Sequence, residues 1–570
     1  MSAEKSQADK ELAEKLGVSE LLLELLMSRG FETVEECERY LSPMLRHLAP
    51  FSEWTGLEEA ARVLDEALEE GRRFAVWGDY DVDGVTSTTV VHNVLAFHGI
   101  EVAHHLPDRR TEGYGVNVEG IEALAAEGIS LLLTVDCGIS DVDAVARARE
   151  LGMTVVVSDH HLPPPILPPA HAICNPRLGP CPCPTLAGVG TAFFVMAALN
   201  ARLAKRTGKR FDMREVLDVV ALGTIADVVD LGGQNRILVK NGLLKIAEAR
   251  RIGMAALKVV SGYNASAALG AGQIAFGLAP RINAAGRLGE AGTALDLLLT
   301  DDHAKAQELA EHLDAINAER RAEEERILAA ALEQAEGQQG RMAFVLYGED
   351  WHPGVIGIVA SRIVEKYYRP TLILCAAELD GEGEAATMKG SGRSVSEFDL
   401  HAGLVECADL LLGFGGHHQA AGMSLLASNL EPLRQRFDEV VRKKLGDTPL
   451  LPTIKIDAAL DFAQASNYTI LKELELLQPF GMGNPEPTFI SPTLIVRSIR
   501  HFGRKKEHAE LHLYDAGCGI ALQAKAWRQA EEFPNSLCDS YVRLAYTPKL
   551  DSYAGSTSID LKIKDWKIVQ

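Results

Sequence analysis

The chain has 570 residues, with 57 Lys and Arg against 79 Asp and Glu, a formal net charge of −22, and is 47% hydrophobic. One hydrophobic core rarely grows past about 250–300 residues, so a multi-domain globular protein is expected. Charged residues at 24%, aromatics at 6%, 50 glycines and 24 prolines exclude fibrous, collagenous and disordered architectures.

In chain order, residues 1–54 read as a helical lead-in of short helices with acidic faces, including SELLLELLMSRG, and carry no chemistry. The charged start MSAEKSQADKELAEKLG stands where a signal peptide needs an apolar stretch. No apolar run approaches the roughly 18–20 residues that span a bilayer, so a cytoplasmic protein without membrane contact is expected. From residue 55 to 302, helix-length segments alternate with the β-branched runs RRFAVWGD, EVAHHL, SLLLTVD and MTVVVSD, the pattern of a parallel α/β sheet. Residues 303–338 hold a run without Gly or Pro until its end, with Leu309, Leu313, Ile316, Ile327, Leu328, Ala331 and Leu332 at helical spacing. Such a helix reaches about 50 Å at about 1.5 Å per residue. Its polar middle, ERRAEEER, predicts a solvated bridge between two anchored ends. Residues 339–450 form a second α/β region (AFVLYGE, GVIGIVASRIVEKYY, TLILC) closing in the Gly-rich GFGGHHQAAGMSL. Residues 451–570 carry short alternating runs between Gly, Pro and Asn, which predict a small β-barrel.

Three of the first four strand-like runs end in metal-competent side chains. Asp79, Asp81 and Asp83 follow the first, Asp136 the third, and Asp159, His160 and His161 the fourth. The helix-like MREVLDVVALGTIADVVDL delivers Asp227. In an open α/β sheet the carboxyl ends of neighbouring strands converge on one crevice. A lone D-x-D is ordinarily a solvated acidic turn, but carboxylates gathered at one rim repel each other unless a cation neutralises them. Mixed oxygen and imidazole donors suit manganese or magnesium. A carboxylate shared by two ions about 3.5–4 Å apart makes the clamp used in phosphoester hydrolysis. Gly84 is expected to let the acidic turn bend. Asp159 is expected to fix the tautomer of a metal-binding His160 from behind, and His161 to face the phosphate or leaving oxygen.

The nine cysteines are odd in number and mostly dispersed through apolar segments, as for reduced core thiols. His171, Cys174, Cys181 and Cys183 are spaced too irregularly, with a stiff Cys-Pro-Cys pair, for a structural zinc site, and read as a proline-rich surface loop. The acidic total is not the footprint of a nucleic-acid binder, yet residues 491–570 hold 12 Lys and Arg against 9 Asp and Glu, a local +3. Arg500, Arg504, Lys505 and Lys506, with Phe502, Tyr514 and Trp527 as aromatic candidates, are consistent with a barrel that tracks a nucleic-acid backbone.

The stretches DYDVDG, TVDCG, SDHH and TIADVVD resemble, in order and spacing, the four motifs of the DHH phosphoesterase superfamily. LPDRRTEGYGVN, AGVGTAF, PRINAAGRL, ASRIVEKYYRP, GSGRSV and GGHHQAAG narrow the resemblance to its bacterial single-strand-specific DNA exonucleases, over essentially the whole chain. The resemblance implies a DHH catalytic domain, a long helix, a second DHH-associated α/β domain and a C-terminal OB-like barrel. It implies 5′→3′ hydrolysis of single-stranded DNA to 5′-mononucleotides with two Mn2+ or Mg2+ ions, in recombination and repair. Asp79, Asp81, Asp83, Asp136, His160 and Asp227 match the metal-binding pattern, and His161 the adjacent catalytic histidine. Arg109, Arg281, Arg393, Gly415, Gly416 and His417 match motifs facing the DNA backbone or its 5′ end. A helicase and a single-strand-binding protein are the implied partners. Two rivals stand beside this reading: a small-substrate phosphoesterase, which leaves residues 451–570 without a purpose, and a non-catalytic relative, which predicts eroded carboxylates. On the first reading, removing 451–570 should weaken binding of long single strands while sparing cleavage of very short oligonucleotides.

Overall fold

The computed structural model describes residues 3–109, 111–377, 386–448, 450–551 and 558–569. Its contacts divide the chain into two compact units, one of residues 1–106, 114–279 and 454–570 and another of residues 107–113 and 280–453.

The first unit opens with helices α1 (Ala3–Leu16), α2 (Glu20–Met27) and α3 (Val34–Leu41), the last started by a capping box between Thr33 and Glu36. After α4 (Leu57–Glu69) come β1 (Phe74–Gly78), α5 (Val82–Phe97), β2 (Val102–His105), α6 (Val118–Ala126), β3 (Leu131–Val135), α7 (Val142–Glu150), β4 (Thr154–Ser158) and β5 (Ala172–Cys174). The five strands form one parallel sheet in the order β2-β1-β3-β4-β5. Every residue of β1, β3 and β4 is buried, because crossover helices cover both faces, whereas β2 is an edge strand and mostly half-buried. Burying a Val or Leu of these strands stabilises the sheet by roughly 1.5–3 kcal/mol. The three-residue β5 is too short to show a period in sequence. Helices α8 (Gly188–Thr207), α9 (Leu217–Ala226), α10 (Gly233–Glu248) and α11 (Ile252–Val260) complete this part.

The second unit contains the predicted long helix as His303–Glu336 and a mixed sheet of β6 (Phe344–Gly348), β7 (Thr371–Ala376), β8 (Thr387–Arg393), β9 (Gly413–Gly416) and β10 (Ala420–Leu426), in the order β6-β7-β8-β10-β9. The middle of the long helix is not solvated all round. Arg320 and Glu324 pair at 2.9 Å with side chains only 11% and 13% exposed, and Glu324 also receives Arg362. The polar stretch hides a half-covered ion pair that periodicity cannot distinguish from a wet face.

The barrel belongs to the first unit. Strands β11 (Ala458–Ala459), β12 (Phe489–Ile490), β13 (Leu494–Phe502), β14 (His508–Asp515), β15 (Ile520–Ala526), β16 (Tyr541–Asp551) and β17 (Ser558–Ile568) form one sheet. It closes through β16-β13-β14-β15-β17-β16 into a five-stranded barrel. The lead-in helices are part of its core: Leu22, Leu25, Leu26, Cys37, Tyr40 and Leu41 cluster with Phe462, Leu477, Phe489, Leu544 and Tyr546. Two cations of α10 pack against the same region, Arg236 buried and Lys240 half-buried. Arg236 donates to the carbonyls of Tyr40, Leu476 and Leu477, and Lys240 to those of Leu41 and Leu476. This corrects the expectation that residues 451–570 can be removed cleanly. Their loss would strip the buried Arg236 of two carbonyl partners, so a truncation disturbs the packing around α10 as well as removing the barrel.

Candidate metal centre

Strand β1 ends one residue before Asp79, and the chain turns at Asp81 into α5. Asp81 caps that helix, its carboxylate accepting the N–H groups of Asp83 and Gly84 at 2.8 and 3.1 Å. Gly84 serves close approach more than bending: a methyl there would stand 2.3 Å from the Asp79 carbonyl oxygen. Asp83 points across to α8, whose N-terminus has no side-chain cap of its own. Its two oxygens accept the Gly188 and Val189 N–H groups at 2.7 and 2.8 Å. Asp136 leaves β3 in the left-handed region, φ +61°, with its N–H on the Ser158 carbonyl. Such a conformation in a non-glycine residue is stored strain of the kind found at functional sites.

These strand ends bring the expected donors together. Single donor atoms of Asp79, Asp81 and Asp136 lie within 4.8 Å of one another, and so do those of Asp83, His160 and Asp227. His160 Nε2 is 3.1 Å from Asp136 Oδ1, 3.6 Å from Asp227 Oδ2 and 3.9 Å from Asp83 Oδ2. Asp136 therefore adjoins both groups. Asp136 Oδ1, His160 Nε2 and Asp227 Oδ2 are buried and make no hydrogen bond. They crowd without satisfying one another, as donors do that converge on a common cation. Burial and the Asp81 charge push Asp83 up to about 7, against the two α8 N–H groups. Burial and the surrounding aspartates hold Asp136 and Asp227 well above the usual carboxylate range. Burial and the neighbouring His161 bring His160 down to about 4, so its ring is neutral and fit to ligate at neutral pH. Oxygen-rich donors with one neutral imidazole and no thiolate fit Mn2+ or Mg2+.

The role expected for Asp159 is corrected. Its Oδ1 accepts the backbone N–H of His160 but the ring Nδ1–H of His161, at 2.7 and 2.8 Å, while Oδ2 takes the Ile139 N–H. The His160 ring has its backbone hydrogen bond with Leu186 instead. Burial pulls His161 down, but the hydrogen bond and charge of Asp159, with Asp83 and Asp79, outweigh it and leave its pKa raised. Two neighbours were not legible as site residues. The Tyr114 hydroxyl lies 3.1 Å from His161 Nδ1 and 3.3 Å from the Asp136 carbonyl. Arg177 donates to the His160 carbonyl at 2.8 Å and places a positive charge near Asp227. Only Tyr114 had a signal, its place between Gly113 and Gly115 in LPDRRTEGYGVN.

The remaining expected residues lie elsewhere. Arg109, Arg281, Arg393, Gly415, Gly416 and His417 all belong to the second unit. Burial and the charge of Arg109 press Arg393 below its ordinary value, so two guanidiniums share one neighbourhood there, as at an anion site. Arg281 is engaged by Asp314 at 2.7 Å. Gly416 takes φ +146° at the end of β9, and the exposed His417 donates its N–H to the Ala420 carbonyl. On the barrel, Arg500 is tied to the buried Glu510 at 2.9 Å. Arg504, Lys505 and Lys506 project from the exposed β13–β14 turn with no ion pair among the described residues. Trp527, 48% exposed, stands edge-on to Phe502, and Tyr514 lies under Arg497. His171 accepts the Val155 N–H, and Cys174, Cys181 and Cys183 form no metal-competent group among the described residues. No helix among the described residues is long and apolar enough to cross a membrane.

Family models match three stretches of the chain: "DHH family, N-terminal domain" at 73–224, "DHHA1 domain" at 340–443 and "RecJ OB domain" at 456–565. The single-stranded-DNA-specific exonuclease RecJ of Dickeya dadantii is 38% identical over 98% of this chain and 97% of its own length. The Bacillus subtilis protein of the same name is 37% identical over 88% of this chain, which spans 62% of that longer relative. Among solved structures, RecJ of Thermus thermophilus in complex with Mn2+ superposes with a TM-score of 0.83 and 33% identity, covering 99% of this chain and 78% of that one.

Proposed function

Since this chain belongs to the RecJ family of single-stranded-DNA-specific exonucleases, we propose that it is a metal-dependent exonuclease that degrades single-stranded DNA from the 5′ end to 5′-mononucleotides. The observation that carries the proposal is the convergence of six metal-competent side chains, three of them with buried donor atoms that make no hydrogen bond. Asp79, Asp81 and Asp136 would hold one ion, and Asp83, Asp136, His160 and Asp227 a second. Two such ions supply charge neutralisation at the phosphate and an activated water. The protein's own part is positional. The α8 N-terminus orients Asp83, the Leu186 backbone orients His160, and Asp159 keeps a proton on His161 Nδ1. His161 then stands ready to give a proton to the departing 3′ oxygen. On this reading residues 55–302 are the catalytic domain, 303–338 the connecting helix and 339–450 the associated domain. Arg109, Arg393 and the 415–417 turn take the 5′ phosphate, and the barrel of 451–570 holds the strand through Arg504, Lys505 and Lys506. The setting is recombination and repair in the cytoplasm, beside a helicase and a single-strand-binding protein.

The test is digestion of 5′- and 3′-labelled single strands and a blunt duplex with manganese, magnesium or chelator. Loss of the 5′ label first, from single strands only and only with metal, is expected. Equal digestion of the duplex, or activity in chelator, would overturn the reading. Two further outcomes follow. Asp159→Asn removes the charge that keeps His161 protonated, so the alkaline limb of the kcat profile should move down by about one pH unit; an unmoved limb removes His161 from the proton transfer. Replacing Arg504, Lys505 and Lys506 together by Ala should flatten the log–log salt dependence of single-strand binding by about 2, at about 0.7 per phosphate contact. An unchanged slope would assign the turn a purely structural role.

A further inference from the structure

We propose that the turn Phe480–Asn484, which leads into the barrel, is a positioning element of the metal centre. It holds the segment after Asp227, and through it the Asp227 carboxylate, at the strand rim. Asp227 is the last residue before a backbone that needs holding. Val228 follows at φ +60°, a β-branched residue in the left-handed region, and its side chain is 62% exposed, so its own packing does little to keep it there. Conformations of this kind are strained and persist only where the surroundings over-determine them.

The surroundings are the turn. Leu231 donates its N–H to the Met482 carbonyl at 2.9 Å. A methyl on Gly481 would stand 2.7 Å from Leu231 Cδ1, and one on Gly483, at φ +69°, would stand 2.2 Å from Asp230 Cγ. The turn thus lies directly against the Asp230 and Leu231 side chains, which a methyl at either glycine would have to displace. Its base is pinned in turn. Asn484, 3% exposed, donates to the Leu477 and Pro479 carbonyls and accepts the Tyr40 hydroxyl at 2.7 Å. Arg236, five residues beyond Leu231 on α10 and 2% exposed, has carbonyls for hydrogen-bond partners and its guanidinium 3.8 Å from the Tyr40 ring centroid. A buried guanidinium whose acceptors are all backbone carbonyls is costly to strand, so this junction is held in one register. Nothing in this arrangement is needed for a barrel that merely trails the catalytic domain on a tether.

The inference rests on Asp227 being a metal ligand, and the experiment separates the two. Manganese binding to the metal-free full chain is measured by calorimetry, beside melting temperature and single-strand kcat and KM, for wild type, Gly483→Ala, Gly481→Ala and the control Gly152→Ala. Gly152 has φ +82° in the turn before β4, with nothing within 4 Å of an added methyl, so it reports the backbone penalty alone. Gly483→Ala should weaken manganese binding by about tenfold or more and lower kcat comparably, with KM within about twofold, the scale of losing a partner that orients a ligand. Gly152→Ala should lose melting temperature but keep manganese affinity within about twofold. Gly481→Ala, which carries no φ penalty, makes the same test should Gly483→Ala fail to fold. Wild-type manganese affinity in the folded glycine variants, or an equal loss in Gly152→Ala, overturns the positioning role. A wild-type chain that binds no manganese, or an Asp227→Asn chain that binds it as tightly as wild type, overturns the ligand reading of Asp227 instead.

Discussion

Asp136→Ala is expected to abolish single-strand hydrolysis, by at least about a thousandfold, or about 4 kcal/mol on the barrier at about 1.36 kcal/mol per decade. Asp136 adjoins both groups of donors, 3.1 Å from His160 Nε2 and within ligand spacing of Asp79 and Asp81. No other described carboxylate belongs to both the Asp79 side and the His160 side of the rim. Water in its place can neither bridge two ions nor fix their separation. The fold should survive, because the residue is a buried charge repelled by Asp83, Asp81, Asp227 and Asp79 rather than a packing element. A metal-free Asp136→Ala chain should melt no lower than metal-free wild type. Near-normal turnover at saturating manganese, or loss of the circular-dichroism spectrum, would count against this account.

The metal-free chain should lose stability as pH rises from about 4 through about 7, and manganese should restore it. The sign follows from the carboxyls being raised. A group whose folded pKa exceeds its unfolded value, about 3.9 for Asp, contributes stability below the unfolded value and loses it as pH climbs through the folded one. For Asp83, with a folded value of about 7, the loss is on the order of 4 kcal/mol, and the raised Asp136 and Asp227 add to it. The depressed His160, down to about 4, works the other way between about 4 and 6.5, so the three carboxyls outweigh it and the net loss is steepest above that range. Cations that bind the ionised rim reverse the loss by mass action. Chelator-treated protein melted across pH 4 to 8 with and without manganese checks this. A melting temperature independent of both pH and manganese would mean that the rim is not a metal site.

The amino-acid pattern by itself determined the parallel sheet and its chemistry. Mostly apolar, β-branched runs of about five residues separated by helix-length segments leave few arrangements other than a covered parallel sheet, and parallel strands present all their carboxyl ends at one rim. Asp79, Asp81, Asp83, Asp136 and His160 were therefore legible as one site from local pattern plus that topological rule. The long helix was equally legible from spacing alone.

Tertiary structure decided which group each of these side chains serves. Asp83 meets the backbone amides of Gly188 and Val189, 105 and 106 residues away. Asp159 holds the ring of His161 and not that of His160. Arg281 meets Asp314, and the lead-in helices, unremarkable as sequence, complete the barrel core. The two glycines at 481 and 483 gain their meaning only from Asp230 and Leu231 pressed against them. The reason is common to all of these. Periodicity reports how much of a residue is buried and which way its backbone runs, both local quantities. A hydrogen-bond partner is set by packing between distant segments, and backbone amides and carbonyls, identical at almost every position, leave no mark in the sequence to say which side chain they will meet.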